Sequence, residues 1–415
     1  MADTQQLDQV STAQNGTVMQ RPVQLSPGLP KLLHKTRCVL HQCPELGFQE
    51  VETSRYLRGL LEQNGLEVHG PLATTGFYVD IEGAIPGPMI GYRADMDGLP
   101  IQDAKQVPYA SRNAGVSHAC GHDAHMAIGA GVALMLHRLR KELHGTVRVF
   151  FQPNEEGAPS GSIPMIRDGV LDGMEAVYCV HVDPTLQLGI YGLIDGTVTA
   201  SSDRFLVRIC TPTTGHSARP HQAKDTIWIA TLLLHQLYQL LGRITDARNP
   251  AVFTVCIFKG GTAHNVIPSE VEFEGNLRFL NEDDRDHVKH YLQRTTEQFA
   301  ALHEVKITLD FRSGLPSVVN NPHMVSHIRD TIHLLFSKDA VRDITVPSMG
   351  SEDFANYLEY VPGALVRVGT RSTRHTSFPL HDAHFDIDEH CLAPTVQLMS
   401  TVLMDHTRLG VLVSS

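Results

Sequence analysis

The stretch SHACGHDAH (117–125) holds one thiol, three imidazoles and a carboxylate within nine residues. Cys120 and His122 flank Gly121. The turn a glycine permits lets both side chains face one point, as ligands of a metal ion must. Two protein ligands leave a four-coordinate ion unfilled, so further donors must come from elsewhere. The chain contains 24 histidines, so a buried thiol beside surface histidines would give the same local pattern, and the surrounding elements have to decide.

Those elements read as an α/β protein. Residues 31–67 are helical, interrupted at 41–47 by Pro44 and Gly47. Residues 77–82 alternate like a strand, and 89–95 form a buried strand ending in Asp95, with Asp97 in the next loop. The Cys120/His122 stretch opens a helix whose first turn suits Asp123 through the helix dipole. Residues 146–151 make a strand that stops at Gln152-Pro153, just before Glu155 and Glu156. Residues 176–180 make another, followed at once by His181. Three strands therefore deliver acidic or imidazole groups at their carboxyl ends, where open, mostly parallel sheets bind ligands. From about 198 to 312 the pattern changes to βαββαβ, which predicts an inserted ferredoxin-like unit. The first domain resumes with helices at 324–336 and 389–403, a strand at 364–368 and His381 in a loop. The expected organisation is a disordered tail at 1–26, a catalytic domain of 27–197 and 313–415, and the insertion at 198–312.

The candidate ligands are thus Cys120, His122, Glu156, His181 and His381. Five donors exceed the need of one tetrahedral ion and suit a pair sharing a bridging group. Glu155 is left free to take a proton from an attacking water and return it to a leaving nitrogen. A Glu-Glu pair alone is usually solvated, and His181 or His381 alone says little; the joint placement carries the reading. In the insertion, His216 could donate to a developing oxyanion when the domains close, and Asn265 and Arg278 could hold a substrate carboxylate.

Composition bounds the rest. A chain of 415 residues exceeds the size at which a single core stops growing. Its net charge of −11 argues against nucleic acid or an anionic membrane as partner. Seven scattered cysteines without a CxxC pair do not form a disulfide framework and point to a reducing, cytoplasmic setting. Residues 1–26 lack the basic and apolar regions of a secretory signal.

The motifs HQCPELGFQE (41–50), RADMDGLP (93–100), HACGHD (118–123), QPNEEG (152–157), NVIP (265–268), GSEDF (350–354) and LH (380–381) together resemble the amidohydrolase branch of the M20 metallopeptidases. That branch includes N-acyl-amino-acid amidohydrolases, hippurate hydrolases and auxin-conjugate hydrolases. The resemblance implies a two-metal domain, with Mn2+ or Zn2+ held by Cys120, His122, Glu156, His181 and His381, Glu155 as general base, and a lid that often dimerises. It implies a bridging role for Cys120 where the exopeptidase branches use an aspartate, and leaves Asp95 and Asp97 to orient the site. The stretches TPTTG (211–215) and APSGS (158–162) depart from the glycine-rich loops usual there and weaken inference about substrate. The expected activity is hydrolysis of N-acyl amino acids or conjugates by a homodimer. The rivals are a dipeptidase or aminopeptidase, a cysteine hydrolase using Cys120, and a non-catalytic binding protein.

Overall fold

The structure, a computed structural model, describes residues 22–410. In chain order, α1 (Leu29–Gln42) and α2 (Val51–Gln63) precede β1 (Val68–Leu72), β2 (Gly76–Glu82) and β3 (Ile85–Asp95). Then come α3 (His122–Leu139), β4 (His144–Gln152), β5 (Met174–Gln187) and β6 (Tyr191–Leu193). A second unit contributes β7 (Ser201–Cys210), α4 (Thr226–Ile244), β8 (Ala251–Gly260), β9 (Glu270–Phe279), α5 (Glu282–His303) and β10 (Lys306–Leu315). The chain closes with α6 (Pro322–Leu335), β11 (Val341–Asp343), β12 (Gly363–Arg371) and α7 (Leu392–Leu409).

The main sheet runs β1-β2-β4-β3-β5-β12-β6-β11. Its centre, β4, β3, β5 and β12, is parallel. Antiparallel pairs occur towards the edges. Alternation along β5 explains its place: Ala176, Tyr178, Val180 and Val182 enter the core under α3 and α7. Val177 and Cys179 enter a smaller core on the other face. A strand buried on both faces reads as a continuous apolar run, which is the expected signature of a parallel sheet.

The second unit has the order β8-β9-β7-β10, all antiparallel. Ile229, Leu233 and Leu237 of α4 and Val288 and Leu292 of α5 pack with Phe205, Val207 and Phe273 in a separate core. This is the βαββαβ pattern read from the sequence.

Two expectations need adjusting. His181 does not follow β5 but lies inside it, because pairing with β12 continues through Arg367↔His181 to Arg371↔Gln187. It is still beyond the end of the β3–β5 pairing at Arg93↔Cys179. The tail expected at 1–26 falls outside the described residues for 1–21. Val23, by contrast, is buried, its N–H donating to Thr401 Oγ1 and its carbonyl accepting from Gln397 on α7. An apolar side chain and two backbone bonds outweigh the polar composition around it. Residues 350–354 lead into a single helical turn, Ala355–Leu358. Among the described residues no helix is long and apolar enough to cross a membrane.

Candidate metal centre

The entry to α3 sets the first two donors. Gly121 is its N-cap at φ 85°, and a Cβ there would lie 2.4 Å from Val182 Cγ2. Only glycine meets both conditions. His122 is buried, with Nδ1 2.9 Å from the Asp97 carbonyl and 3.2 Å from its carboxylate. Its Nε2 faces inward without a hydrogen-bond partner. His181 is oriented in the same manner: Nδ1 lies 2.8 Å from the Val182 carbonyl, which leaves Nε2 3.6 Å from Cys120 Sγ. His381 reaches the cluster from a loop, at φ 66°, with its N–H donated to the Ala119 carbonyl at 2.8 Å and its Nε2 3.0 Å from Glu156 Oε1.

The acidic pair is held on both sides. Asn154 N–H donates to Glu50 Oε1 at 2.9 Å, and Glu156 N–H donates to Asp97 Oδ2 at 2.9 Å. Between these anchors Glu155 Oε2 lies 3.8 Å from His122 Nε2. Burial drives the Glu155 carboxyl well above its ordinary range, and Glu352, Glu156 and Asp353 push the same way against His122. Burial likewise holds the Cys120 thiol above its usual value, with Glu156 adding to it. Proximity to Cys120 and Glu156 raises His381 to about 10. These protons must leave when cations enter.

Asp95 and Asp97 lie against the rings of His125 and His122. Asp95 Oδ1 accepts from His125 Nδ1 at 2.7 Å, and His125 Nε2 accepts the Val182 N–H at 3.0 Å. Residues that sequence reasoning missed complete the floor. The buried Arg93 guanidinium donates to Gln152 Oε1, to Asp95 Oδ2 at 2.6 Å and to Asp353 Oδ1 at 2.7 Å, and lies 3.0 Å from Glu352 Oε1. Asp123, assigned above to the helix dipole, accepts from Arg37 Nε at 2.7 Å and pairs with His41 Nδ1 at 2.6 Å. The available signal was weak: an arginine inside a buried strand needs carboxylate partners.

His216, Asn265 and Arg278 lie apart from the cluster, on the second unit. His216 and Asn265 are exposed neighbours, since residues 215–216 pair with 266–267 and Ser217 N–H donates to the Asn265 carbonyl. Arg278 on β9 donates to the Met349 carbonyl at 2.9 Å, beside the 350–354 loop. A cleft of about 300 Å3 separates the units, with Glu155 and Glu156 on one wall and Ser202, Arg204 and Asn276 on the other.

The donor set fits metal. Ligand atoms of Cys120, His122 and His181 lie within 4.8 Å of one another, as do those of Cys120, Glu156 and His381. The two groups share Cys120. Atoms as close as Cys120 Sγ and His181 Nε2 can both sit about 2.0–2.3 Å from one ion. The buried, unpartnered His122 Nε2 is costly unless something binds it.

A buried cluster of thiol, imidazole and carboxylate donors at the carboxyl edge of a parallel-centred sheet is the layout of a metal-dependent hydrolase. Residues 91–405 match peptidase family M20/M25/M40, and the chain belongs to that family. It is 38% identical over 371 residues to the N-acetyl-L-cysteine deacetylase of Bacillus subtilis, covering 89% of this chain and 86% of that one. It is 32% identical over 357 residues to thermostable carboxypeptidase 1 of Saccharolobus solfataricus, covering 85% and 90%. The solved structure of the Bacillus subtilis YXEP protein, described as a dinuclear metal binding peptidase of the M20 family, superposes with a TM-score of 0.80 at 32% identity over 92% of this chain and 99% of that one. The chain is a metal-dependent M20 hydrolase, and the YXEP likeness supports two divalent ions.

Proposed function

We propose that this hydrolase cleaves the amide bond of N-acyl amino acids or amino-acid conjugates, giving a carboxylic acid and a free amino acid. The observation that carries the reading is the pair of donor groups sharing Cys120 with the free carboxyl of Glu155 beside them. Cys120, His122, Glu156, His181 and His381 would hold two divalent ions, Mn2+ or Zn2+. When bound, such ions supply Lewis acidity to a carbonyl oxygen and to water.

Glu155 takes a proton from the attacking water as the C–O bond forms, and returns it to the nitrogen as the C–N bond breaks. Asp97 fixes the His122 ring and the Glu156 backbone at once. Residues 198–312 act as a lid. His216 Nδ1 accepts the Ala218 N–H at 3.0 Å, so its hydrogen resides on Nε2, which can donate to a developing oxyanion on closure. Asn265 beside it and Arg278 on β9 serve as substrate contacts from the same unit.

A cysteine nucleophile is disfavoured, because a buried thiol with raised proton affinity is a poor thiolate source. All seven cysteines are unpaired, which fits a reducing compartment, and cytoplasm is the proposed location.

The test is a panel of N-acyl amino acids and free-amine dipeptides, assayed before chelation, after it, and after return of Mn2+ or Zn2+. Turnover of the acylated compounds that is lost and restored supports the reading. Activity that survives chelation, or a preference for free-amine dipeptides, counts against it.

A further inference from the structure

A second cleft, of about 600 Å3, is lined by segments that carry two of the donors and does not include Glu155. It begins at Asp183, two residues beyond His181, and at Leu380, the residue before His381. Its walls are mostly apolar: Leu186, Ile194, Val198, Ile344 and Leu380. Two arginines line it, the exposed Arg342 and the half-buried Arg367, together with the carboxylates of Asp183 and Asp343, the latter paired with Arg329. Arg367 of β12 is paired in register with His181 of β5, so both side chains leave the same face of the sheet.

Arg367 is half-buried. Several buried or half-buried arginines are answered by carboxylates: Arg93 and Arg37 by three each, Arg148 by Asp80 and Arg285 by Asp203; the half-buried Arg278 instead donates to the Met349 carbonyl. The Arg367 guanidinium has no hydrogen bond or ion pair with any described residue. Space beside it is preserved by Gly192, where a Cβ would lie 2.5 Å from Ile344 Cδ1, 2.8 Å from Leu186 Cδ1 and 3.1 Å from Arg367 Cβ. A guanidinium desolvated on one side and lacking a carboxylate is matched by a planar anion that accepts both of its parallel donors.

We infer that this cleft receives one half of the substrate, an apolar body ending in a carboxylate, and that Arg367 is the residue that reads the carboxylate. The inference rests on the proposed amide hydrolysis for its orientation: the scissile bond lies over the cluster, with one half towards Glu155 and Ser202 and the other towards Arg367. The carboxylate can belong to the amino-acid half or to a dicarboxylic acyl half, and the two are separable.

Wild type, Arg367→Gln and Arg367→Lys are compared on N-acetyl-L-leucine, N-acetyl-L-leucinamide and N-succinyl-L-leucinamide, with metal content and melting temperature measured for each. The wild type prefers a carboxylate-bearing compound over N-acetyl-L-leucinamide in KM. Arg367→Gln reduces that preference by about tenfold or more, and Arg367→Lys, which keeps charge but not the fork, lies between. A preference confined to N-acetyl-L-leucine assigns the amino-acid half, and one confined to N-succinyl-L-leucinamide the acyl half. The same preference in wild type and Arg367→Gln, with metal content unchanged, overturns the inference. If the wild type hydrolyses none of the three, amide hydrolysis is what fails, and calorimetric binding of the same compounds to wild type and Arg367→Gln tests Arg367 by itself. Equal affinity for acid and amide, or no binding of either to wild type, again overturns it.

Discussion

Asp97 touches the site twice, through the His122 ring and through the Glu156 backbone N–H. Supporting carboxylates of this kind fix ligand orientation, and their loss typically weakens metal binding about 10–100-fold. Asp97→Ala is therefore expected to lower divalent-ion affinity by that range in chelator competition while the fold persists; unchanged affinity would remove Asp97 from the role. Cys120 and His122 are legible in the sequence because two donors and the glycine that turns them are contiguous. Arg93 is not: its partner Asp353 lies 260 residues away, and a single sequence does not say which distant carboxylates meet a buried guanidinium. Replacing Arg93 by Met takes the guanidinium away from the buried carboxylates Asp95, Glu352 and Asp353, at an expected cost of about 3–5 kcal/mol in urea unfolding.

At the scale of elements, strands and helices follow from periodicity wherever one face is buried. The continuous apolar run of β5 and the βαββαβ order are both plain in the sequence. What periodicity misses is where pairing stops: β5 runs past His181 because β12 supplies a partner for it. The packing of α7 on β5 carries a pH dependence. His406 Nδ1 lies 2.8 Å from Tyr178 Oη, and burial, with His327 second, lowers His406 to about 4. An unfolded histidine titrates near 6.5. Between those values the unfolded chain binds more protons than the folded one, so stability falls as pH drops from 6.5 towards 4, by up to about 3 kcal/mol for this group. His406→Gln is expected to flatten the acid limb of a melting-temperature profile over that window. An unaltered limb would assign the loss to other groups.

For the whole molecule, the second unit presents an edge. Strand β8 ends its sheet, and Val252, Ile257 and Phe258 on it are exposed, as is Trp228 of α4. An edge strand carrying exposed apolar side chains invites pairing with another copy. This favours the proposed homodimer through residues 198–312, and Phe258→Lys is expected to shift the protein to a monomer in sedimentation; a wild type that already sediments as a monomer would rule the dimer out. The central claim concerns the other unit: that Glu155 moves the proton while its neighbours hold the ions. Glu155→Gln keeps shape and removes the basic oxygen. With turnover of an N-acyl amino acid and bound metal measured on the same preparation, the account predicts a fall in kcat of about 100-fold or more with the metal content of wild type. Near-normal turnover in that variant would contradict it.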